Sequence, residues 1–122
     1  MILADTSVWV DHFRSHNAEM KKHLASRSIA MHPFIVAELA LGSLRDRTRT
    51  LAYLDMLPQV RVAQLGEVRQ MIEARSLYSQ GIGPIDAHLI ACIFLNPPTL
   101  LWTKDKRLRT VAETLGISAN LP

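Results

Sequence analysis

The stretch MILADTSVWVDHF, residues 1–13, decides the fold of this chain of 122 residues. It contains a short apolar run, Ile2 to Ala4, that is typical of a buried central strand, and Asp5 follows this run directly. Thr6 and Ser7 provide side chains that can cap a helix, and an apolar helical face begins after them. The stretch therefore predicts a strand that leads through an acid into a helix.

The rest of the chain alternates apolar runs with helical patterns in the same way. Further strand candidates are residues 28–31, 60–62, 99–103 and 117–121. Further helix candidates are residues 17–26, 34–44, 47–57, 65–79, 84–95 and 104–115. This alternation predicts an α/β fold of three layers, α/β/α, with a central, mainly parallel sheet of four to five strands. Because no repeat or long linker interrupts the pattern, residues 1–122 are expected to form a single domain.

Composition limits the class of protein. With 48% hydrophobic and 20% charged residues the chain is not of the disordered type, and its single cysteine, Cys92, excludes a disulfide scaffold. The net charge of +3 is a mild excess, although basic residues cluster at 45–49 and 104–109. The N-terminus lacks a secretory pattern, and glycines, prolines and Asp86 divide the long apolar stretch between Arg75 and Lys104. We therefore expect a cytoplasmic protein without a membrane span.

Four acids stand in otherwise apolar or uncharged surroundings, and they are Asp5, Glu38, Asp86 and Asp105. Two follow predicted strands and two lie near the starts of predicted helices, so a parallel sheet with right-handed crossovers can bring all four to its carboxyl edge. Grouped carboxylates repel one another unless a cation neutralises them, and oxygen ligands suit Mg²⁺ or Mn²⁺. Such an ion activates water and stabilises a phosphate under attack. The pattern predicts metal-dependent phosphodiester hydrolysis.

Each acid also has a purely structural interpretation. Asp5 can cap the helix that follows it, and Glu38 can be a buried acid paired with an arginine. Asp86 and Asp105 can be acids in the first turn of a helix, where the helix dipole favours them. For all four interpretations to hold together, the acids would have to meet at one sheet edge by accident.

The segments that carry the acids resemble the PIN-domain ribonucleases, and among them the VapC toxins of bacterial toxin–antitoxin pairs. These segments are MILADTSVWVDHF, HPFIVAELALG, GIGPIDAHLIACIFL and LLWTKDKRL, and they span the chain from end to end. The resemblance implies a Mg²⁺-dependent endoribonuclease, with Mn²⁺ as a plausible ion. Residues 106–109 lack the further acid that family members often carry, which leaves fewer ligands for a second ion. The catalytic and metal-binding acids that it implies are Asp5, Glu38, Asp86 and Asp105.

The resemblance also implies supporting residues and partners. Thr103 and a hydroxyl after the first acid, on Ser7 or Thr6, would orient the carboxylates in catalysis. Lys104 and Arg107 lie nearest to the acids and are expected to contact RNA phosphates. Family members usually form homodimers and are inhibited by a VapB antitoxin, so both partners are expected here. Candidates for lining an antitoxin groove are Val8, Trp9, Phe13 and Leu54, although for each of them we favour a place in the core.

Two other functions remain open. A signalling receiver domain has a similar length, a parallel sheet and an acidic Mg²⁺ pocket, but it needs a pair of acids after the first strand, where Asp5 stands alone. A non-catalytic PIN-like module would bind RNA or protein without cutting RNA. His88 lies two positions after Asp86, on the other side of the predicted helix, so we expect it to pack rather than to take part in chemistry.

Overall fold

Short strands alternate with helices along the chain, as a computed structural model of residues 1–122 shows. The strands are β1 (Ile2–Ala4), β2 (Ile29–Ala30) and β3 (Leu100–Trp102). The helices are α1 (Thr6–Ser15), α2 (Ala18–Ala25), α3 (Pro33–Ala40), α4 (Arg47–Met56), α5 (Leu65–Ala74), α6 (Pro84–Leu95) and α7 (Lys106–Thr114). None of these helices combines the length and hydropathy that a membrane span requires.

The strand that opens the chain lies at the centre of a parallel sheet with the order β2-β1-β3. Ile2 lies opposite Ile29 on one side and Leu100 on the other. Successive residues of a strand point to opposite faces, and Leu3 and Ala4 are both fully buried. Both faces of the sheet are therefore covered, which confirms the predicted three-layer α/β arrangement.

The predicted strand at residues 60–62 is absent. Gln59 forms a single parallel bridge with Met31, after which the chain leaves the sheet. The side chain of Asn96 then takes the place of a neighbouring strand, because its amide accepts from the Arg61 backbone N–H at 2.9 Å and donates to the Arg61 carbonyl at 2.9 Å. A side chain that satisfies both backbone groups removes the need for a strand partner.

At the opposite edge, the expected strand at residues 117–121 is also reduced to one bridge. Leu101 donates to the Ile117 carbonyl and accepts from the Ala119 N–H, both at 2.8 Å. Asn120 then adopts a left-handed conformation with φ of 56°, which turns the chain away from β3. The sheet thus has three strands, fewer than the four to five expected, and a single bridge extends it at each edge.

Helix α5 is shorter than its pattern indicated, because it ends at Ala74 rather than at residue 79. Ser76 adopts a left-handed conformation with φ of 52°, and the Leu77 N–H donates to the Ile72 carbonyl at 2.9 Å. This turn gives a hydrogen-bond partner to a backbone carbonyl at the end of the helix, and it places Leu77 in the core.

Helix α6 is the central helix of the domain. Five consecutive residues, from Leu89 to Ile93, are buried, so the helix is enclosed on nearly all sides. It packs between α5 and β3. Cys92 lies on this helix, and burial raises the pKa of its thiol to about 12, which confirms its expected place in the core. The N-terminal turn of this rigid helix carries Asp86.

Candidate active site

Asp5 stands where β1 ends and α1 begins. Its backbone N–H donates to the Trp102 carbonyl at 3.0 Å, which ties the carboxyl ends of β1 and β3 together. The residue is only 6% exposed. Its carboxylate accepts hydrogen bonds from the Ser7 and Thr103 hydroxyls, both at 2.5 Å, and from the Val8 backbone N–H at 3.3 Å. Asp5 therefore caps α1 and at the same time presents a buried carboxylate at the sheet edge.

A network of hydroxyl groups holds this carboxylate in place. The Thr103 oxygen accepts from the Asp105 backbone N–H at 3.0 Å, and the Ser7 oxygen accepts from the Lys104 backbone N–H at 2.9 Å. Burial raises the pKa of Asp5, and the two hydroxyl hydrogen bonds offset this rise only in part. The ionised carboxylate thus lacks a compensating positive charge.

Glu38 joins the same region from α3. Its carboxylate accepts from the Thr6 hydroxyl at 2.6 Å, and Thr6 is the residue next to Asp5. No arginine pairs with Glu38, so its structural interpretation as a buried ion pair is wrong. Of the two hydroxyls that the sequence left open after the first acid, Ser7 serves Asp5 and Thr6 serves Glu38.

Asp86 experiences the charges of all three other acids. It is the third residue of α6, and it accepts from the Gly83 backbone N–H at 3.3 Å. Burial is the largest cause that raises the pKa of Asp86, and the charges of Asp5, Asp105 and Glu38 raise it further. The other three acids therefore lie near enough to Asp86 for their charges to act on it.

The fourth acid, Asp105, is the most exposed of the group and caps α7. Its carboxylate accepts from the Leu108 backbone N–H at 2.9 Å. The structural interpretation as a helix-start acid is therefore correct for Asp105, and it is compatible with a place beside Asp86. Four negative groups share this edge without one ion pair among them, since the ion pairs of the chain join Glu19 to His23 and Asp11 to Lys104.

The chemistry of this set of donors fits a hard divalent cation. All the available ligands are oxygen atoms, and the negative charge of the pocket is uncompensated. No three of the side chains converge closely enough to ligate one ion together. Mg²⁺ is usually held by one or two carboxylates and keeps several waters, so a pocket of separated acids suits it.

The two predicted RNA contacts lie in different surroundings. The Lys104 ammonium lies 3.7 Å from the Asp11 carboxylate and donates to the Pro122 carbonyl at 3.0 Å. The side chain of Arg107 lies directly against Gly81, where an added Cβ atom would come within 2.8 Å of the Arg107 Cδ. Gly81, with φ of 77°, allows both that backbone conformation and this contact. An open depression beside this contact is lined by Gln80, Lys106, Arg107, Thr110 and Val111.

Most of the candidate groove residues belong to the core instead. Val8, Trp9 and Leu54 are fully buried, so they cannot line an open groove. Only Phe13 is exposed, at 39%, and the neighbouring Val10 on the same helix is exposed as well. Val8 and Trp9 belong to the buried face of α1, and Leu54 is the buried residue of α4.

Sequence reasoning missed an aromatic cluster beside the acids. His88 packs against Phe34, as its expected packing role requires, with ring centroids 4.8 Å apart. The ring of His32 also packs against Phe34, with ring centroids 5.0 Å apart. The stretch HPF in front of the helix that carries Glu38 was the available signal.

Comparison with known proteins places the chain among characterised sequences. Residues 2–114 match the PIN domain. Ribonuclease VapC32 of Mycobacterium tuberculosis, strain CDC 1551 / Oshkosh, is 37% identical over 118 residues, which cover 97% of this chain and 95% of that protein. The Ribonuclease VapC32 sequence of strain ATCC 25618 / H37Rv gives the same identity and the same coverage.

Proposed function

We propose that this chain, which belongs to the PIN-domain family as a VapC-type endoribonuclease, cuts RNA at the pocket formed by Asp5, Glu38, Asp86 and Asp105 with a bound divalent cation. The observation that carries the assignment of the pocket is the buried Asp5 carboxylate, which the Ser7 and Thr103 hydroxyls hold at the carboxyl ends of β1 and β3 without an ion-pair partner. The raised pKa of Asp86, caused first by burial and then by the charges of the other three acids, is in line with it. Membership of this family argues against the receiver-domain alternative. All four acids are present and none of them is paired with a basic side chain, which argues against a non-catalytic module.

Mg²⁺ is the ion that we assign to the pocket, and Mn²⁺ is the alternative. Asp5 and Asp86 would hold it most directly, because they are the two acids whose charged forms the fold disfavours without a cation. Glu38 and Asp105 would complete the set through waters bound to the ion. When bound, the ion supplies positive charge for the phosphate under attack and lowers the pKa of water.

The side chains of the protein orient these groups. Ser7 and Thr103 donate to the two oxygens of Asp5, so the carboxylate cannot rotate freely. Thr6 fixes Glu38 in the same way from the neighbouring position. Hydrolysis adds water across one ester P–O bond of RNA and leaves a phosphate monoester and a hydroxyl, and a fixed set of carboxylates lowers the cost of orienting water for that attack.

Divalent ions are expected to stabilise the folded protein, and this tests the metal assignment. At a concentration about 100 times its dissociation constant, an ion that binds only the folded state adds about 2.7 kcal/mol, which raises Tm by about 10 °C in a domain of this size. Thermal unfolding followed by circular dichroism with MgCl₂, MnCl₂ or EDTA measures the effect, with NaCl at equal ionic strength as the control. An unchanged Tm together with RNA cleavage in EDTA would refute the assignment.

Arg107 and Lys104 are proposed to contact RNA phosphates. Arg107 is exposed and lies beside Lys106 in the open depression, and neither side chain has an acidic partner. The ammonium of Lys104 already forms an ion pair with Asp11, so we expect Arg107 to contribute more to RNA binding. Both residues are close to Asp105 in the chain, which supports a contact with RNA bound at the acids.

The substitution Arg107→Gln should weaken RNA binding without stopping catalysis. One lost phosphate contact on single-stranded RNA raises KM by about fourfold near 0.15 M salt and lowers the slope of log KM against log salt by about 0.7. Steady-state cleavage across a salt series measures both quantities. Arg27→Gln is the matched control, because Arg27 is exposed just before β2, at the opposite edge of the sheet. Equal effects of the two substitutions would contradict the contact.

Partners and setting follow from the same family membership. We propose a homodimer and a VapB-type antitoxin, with residues 1–122 acting as one catalytic domain. Leu41 and Met56 are more than four-fifths exposed, and such apolar surface suits a dimer interface, whereas Val10 and Phe13 on α1 suit an antitoxin segment. We place the activity in the cytoplasm, where the RNA substrate is available. Sedimentation of the free protein as a monomer at all concentrations would contradict the dimer.

A further inference from the structure

An exposed aromatic ring borders the acidic pocket. Phe34 is 37% exposed and precedes Glu38 by four residues on α3, so the two side chains share one face of the helix, one turn apart. The ring of His88 on α6 meets Phe34 nearly edge-on, at 4.8 Å and 65°. Asp86, which experiences the charge of Glu38, is on the same helix as His88 but on a different side of it. Helices α3 and α6 thus carry the ring and two of the acids, and Glu38 is the acid that shares a helix face with the ring.

His32 packs against the ring of Phe34 and is uncharged at neutral pH. It is fully buried, and its Nδ1 accepts from the Phe34 backbone N–H at 2.9 Å, which fixes the imidazole at the start of α3. Burial, and then the neighbouring His88, lower the pKa of His32 to about 4. At neutral pH the ring is therefore uncharged. This side of the pocket consequently offers no cation to a phosphate, in contrast to the side of Arg107.

The two imidazoles also have polar atoms that the protein leaves unpaired. Since Nδ1 of His32 is an acceptor, its Nε2 carries the proton, and this buried N–H has no hydrogen-bond partner in the chain. Nδ1 of His88 is buried and unpaired too. Because both atoms are buried, the group on this side that a ligand can reach is the exposed face of Phe34. A flat exposed ring suits a nucleobase, which offers a π-face for stacking.

We propose that Phe34 is a stacking residue for the RNA substrate: a nucleobase next to the bond that is cut packs on the exposed ring, supported by His32 and His88. This proposal rests on the assignment of the acidic pocket as the active site. It divides substrate recognition between two sides, with phosphates bound near Arg107 and a base bound near Phe34. Phe34 therefore contributes to the affinity for the substrate, through binding rather than through the chemical step.

The test pairs the substitution Phe34→Leu with RNA that lacks single bases. Leucine keeps an apolar side chain for packing but removes the flat ring. Single-stranded RNA oligonucleotides around a mapped cleavage position carry one abasic nucleotide at each flanking position in turn, and kcat/KM is measured with Mg²⁺. For the wild-type protein we expect one position at which the missing base lowers kcat/KM by about 5- to 150-fold. Phe34→Leu should lose the same factor on intact RNA and nothing more on that abasic RNA.

Other variants decide the result if Phe34→Leu unfolds. Phe34→Trp keeps a larger ring and should retain or increase the abasic penalty, and Tyr53→Ala, at an exposed aromatic residue of α4, should leave it unchanged. The same abasic penalty in wild-type and Phe34→Leu protein would overturn the proposal. So would variants that alter only dimerisation or antitoxin binding. If the wild-type protein cuts no RNA with any divalent ion, the active-site assignment fails first, and the two failures remain distinct.

Discussion

Asp5→Asn is expected to lower RNA cleavage by at least about 100-fold while the protein remains folded. Substitution of groups that merely support a metal ligand costs about 10- to 100-fold, so loss of a proposed ligand charge should cost at least as much. The fold tolerates asparagine because asparagine caps helices as well as aspartate does. The Ser7 and Thr103 hydroxyls can also rotate to pair with an amide. Cleavage of single-stranded RNA with Mg²⁺ measures the loss.

The same substitution should stabilise the metal-free protein at neutral pH. The pKa of Asp5 is raised in the folded state, so the folded state holds the proton more tightly, and this contribution to stability is lost as pH rises through the raised pKa. Asparagine never ionises and avoids that loss. In EDTA, the Tm of the wild-type protein should therefore fall relative to that of Asp5→Asn as pH rises from about 4, the ordinary pKa of an aspartate, through the raised pKa of Asp5.

A matched control separates the site from a general effect of removing an acid. Asp55 is exposed on α4, so Asp55→Asn should change neither the cleavage rate nor the pH dependence of Tm. Asp86→Asn should behave like Asp5→Asn in both measurements, since burial and neighbouring acids raise the pKa of Asp86. Full activity of Asp5→Asn with Mg²⁺ would remove this pocket as the site of cleavage.

The sequence predicted the position of Asp5 better than the edges of the sheet, for physical reasons. An acid directly after an apolar run marks a strand end, and parallel topology alone brings such ends together, so Asp5 could be placed without knowledge of side-chain contacts. The length of the outer strands depends on which groups compete for the backbone hydrogen bonds of their residues. Nothing in the pattern at 60–62 shows that the Asn96 amide, far along the chain, takes over the hydrogen bonds of Arg61.

The other features that the sequence could not predict are contacts between residues far apart in the chain. The pairing of Thr6 with Glu38 spans 32 residues, and the sequence shows two hydroxyls without showing which acid each one serves. Phe34 and His88 have the same difficulty, because each lies on its own helix and only the approach of α3 to α6 joins them. Period and composition place residues on a face, whereas the partner across that face follows from packing.

Thr103→Val is expected to lower kcat/KM by about 10- to 100-fold, through the position and ionisation of Asp5. Valine keeps the shape of the buried side chain, but it removes the donor to the Asp5 carboxylate and leaves the Asp105 N–H unpaired, at a cost in stability of about 1 kcal/mol.

Because the Thr103 hydroxyl lowers the pKa of Asp5, its loss should move the acid limb of the profile of kcat/KM against pH to higher pH. Thr103→Ser keeps the hydroxyl and should restore both the rate and the position of that limb. A residue that served packing alone would show the opposite order, with valine active and serine impaired by the cavity left by the missing methyl group, and its pH profile would not move.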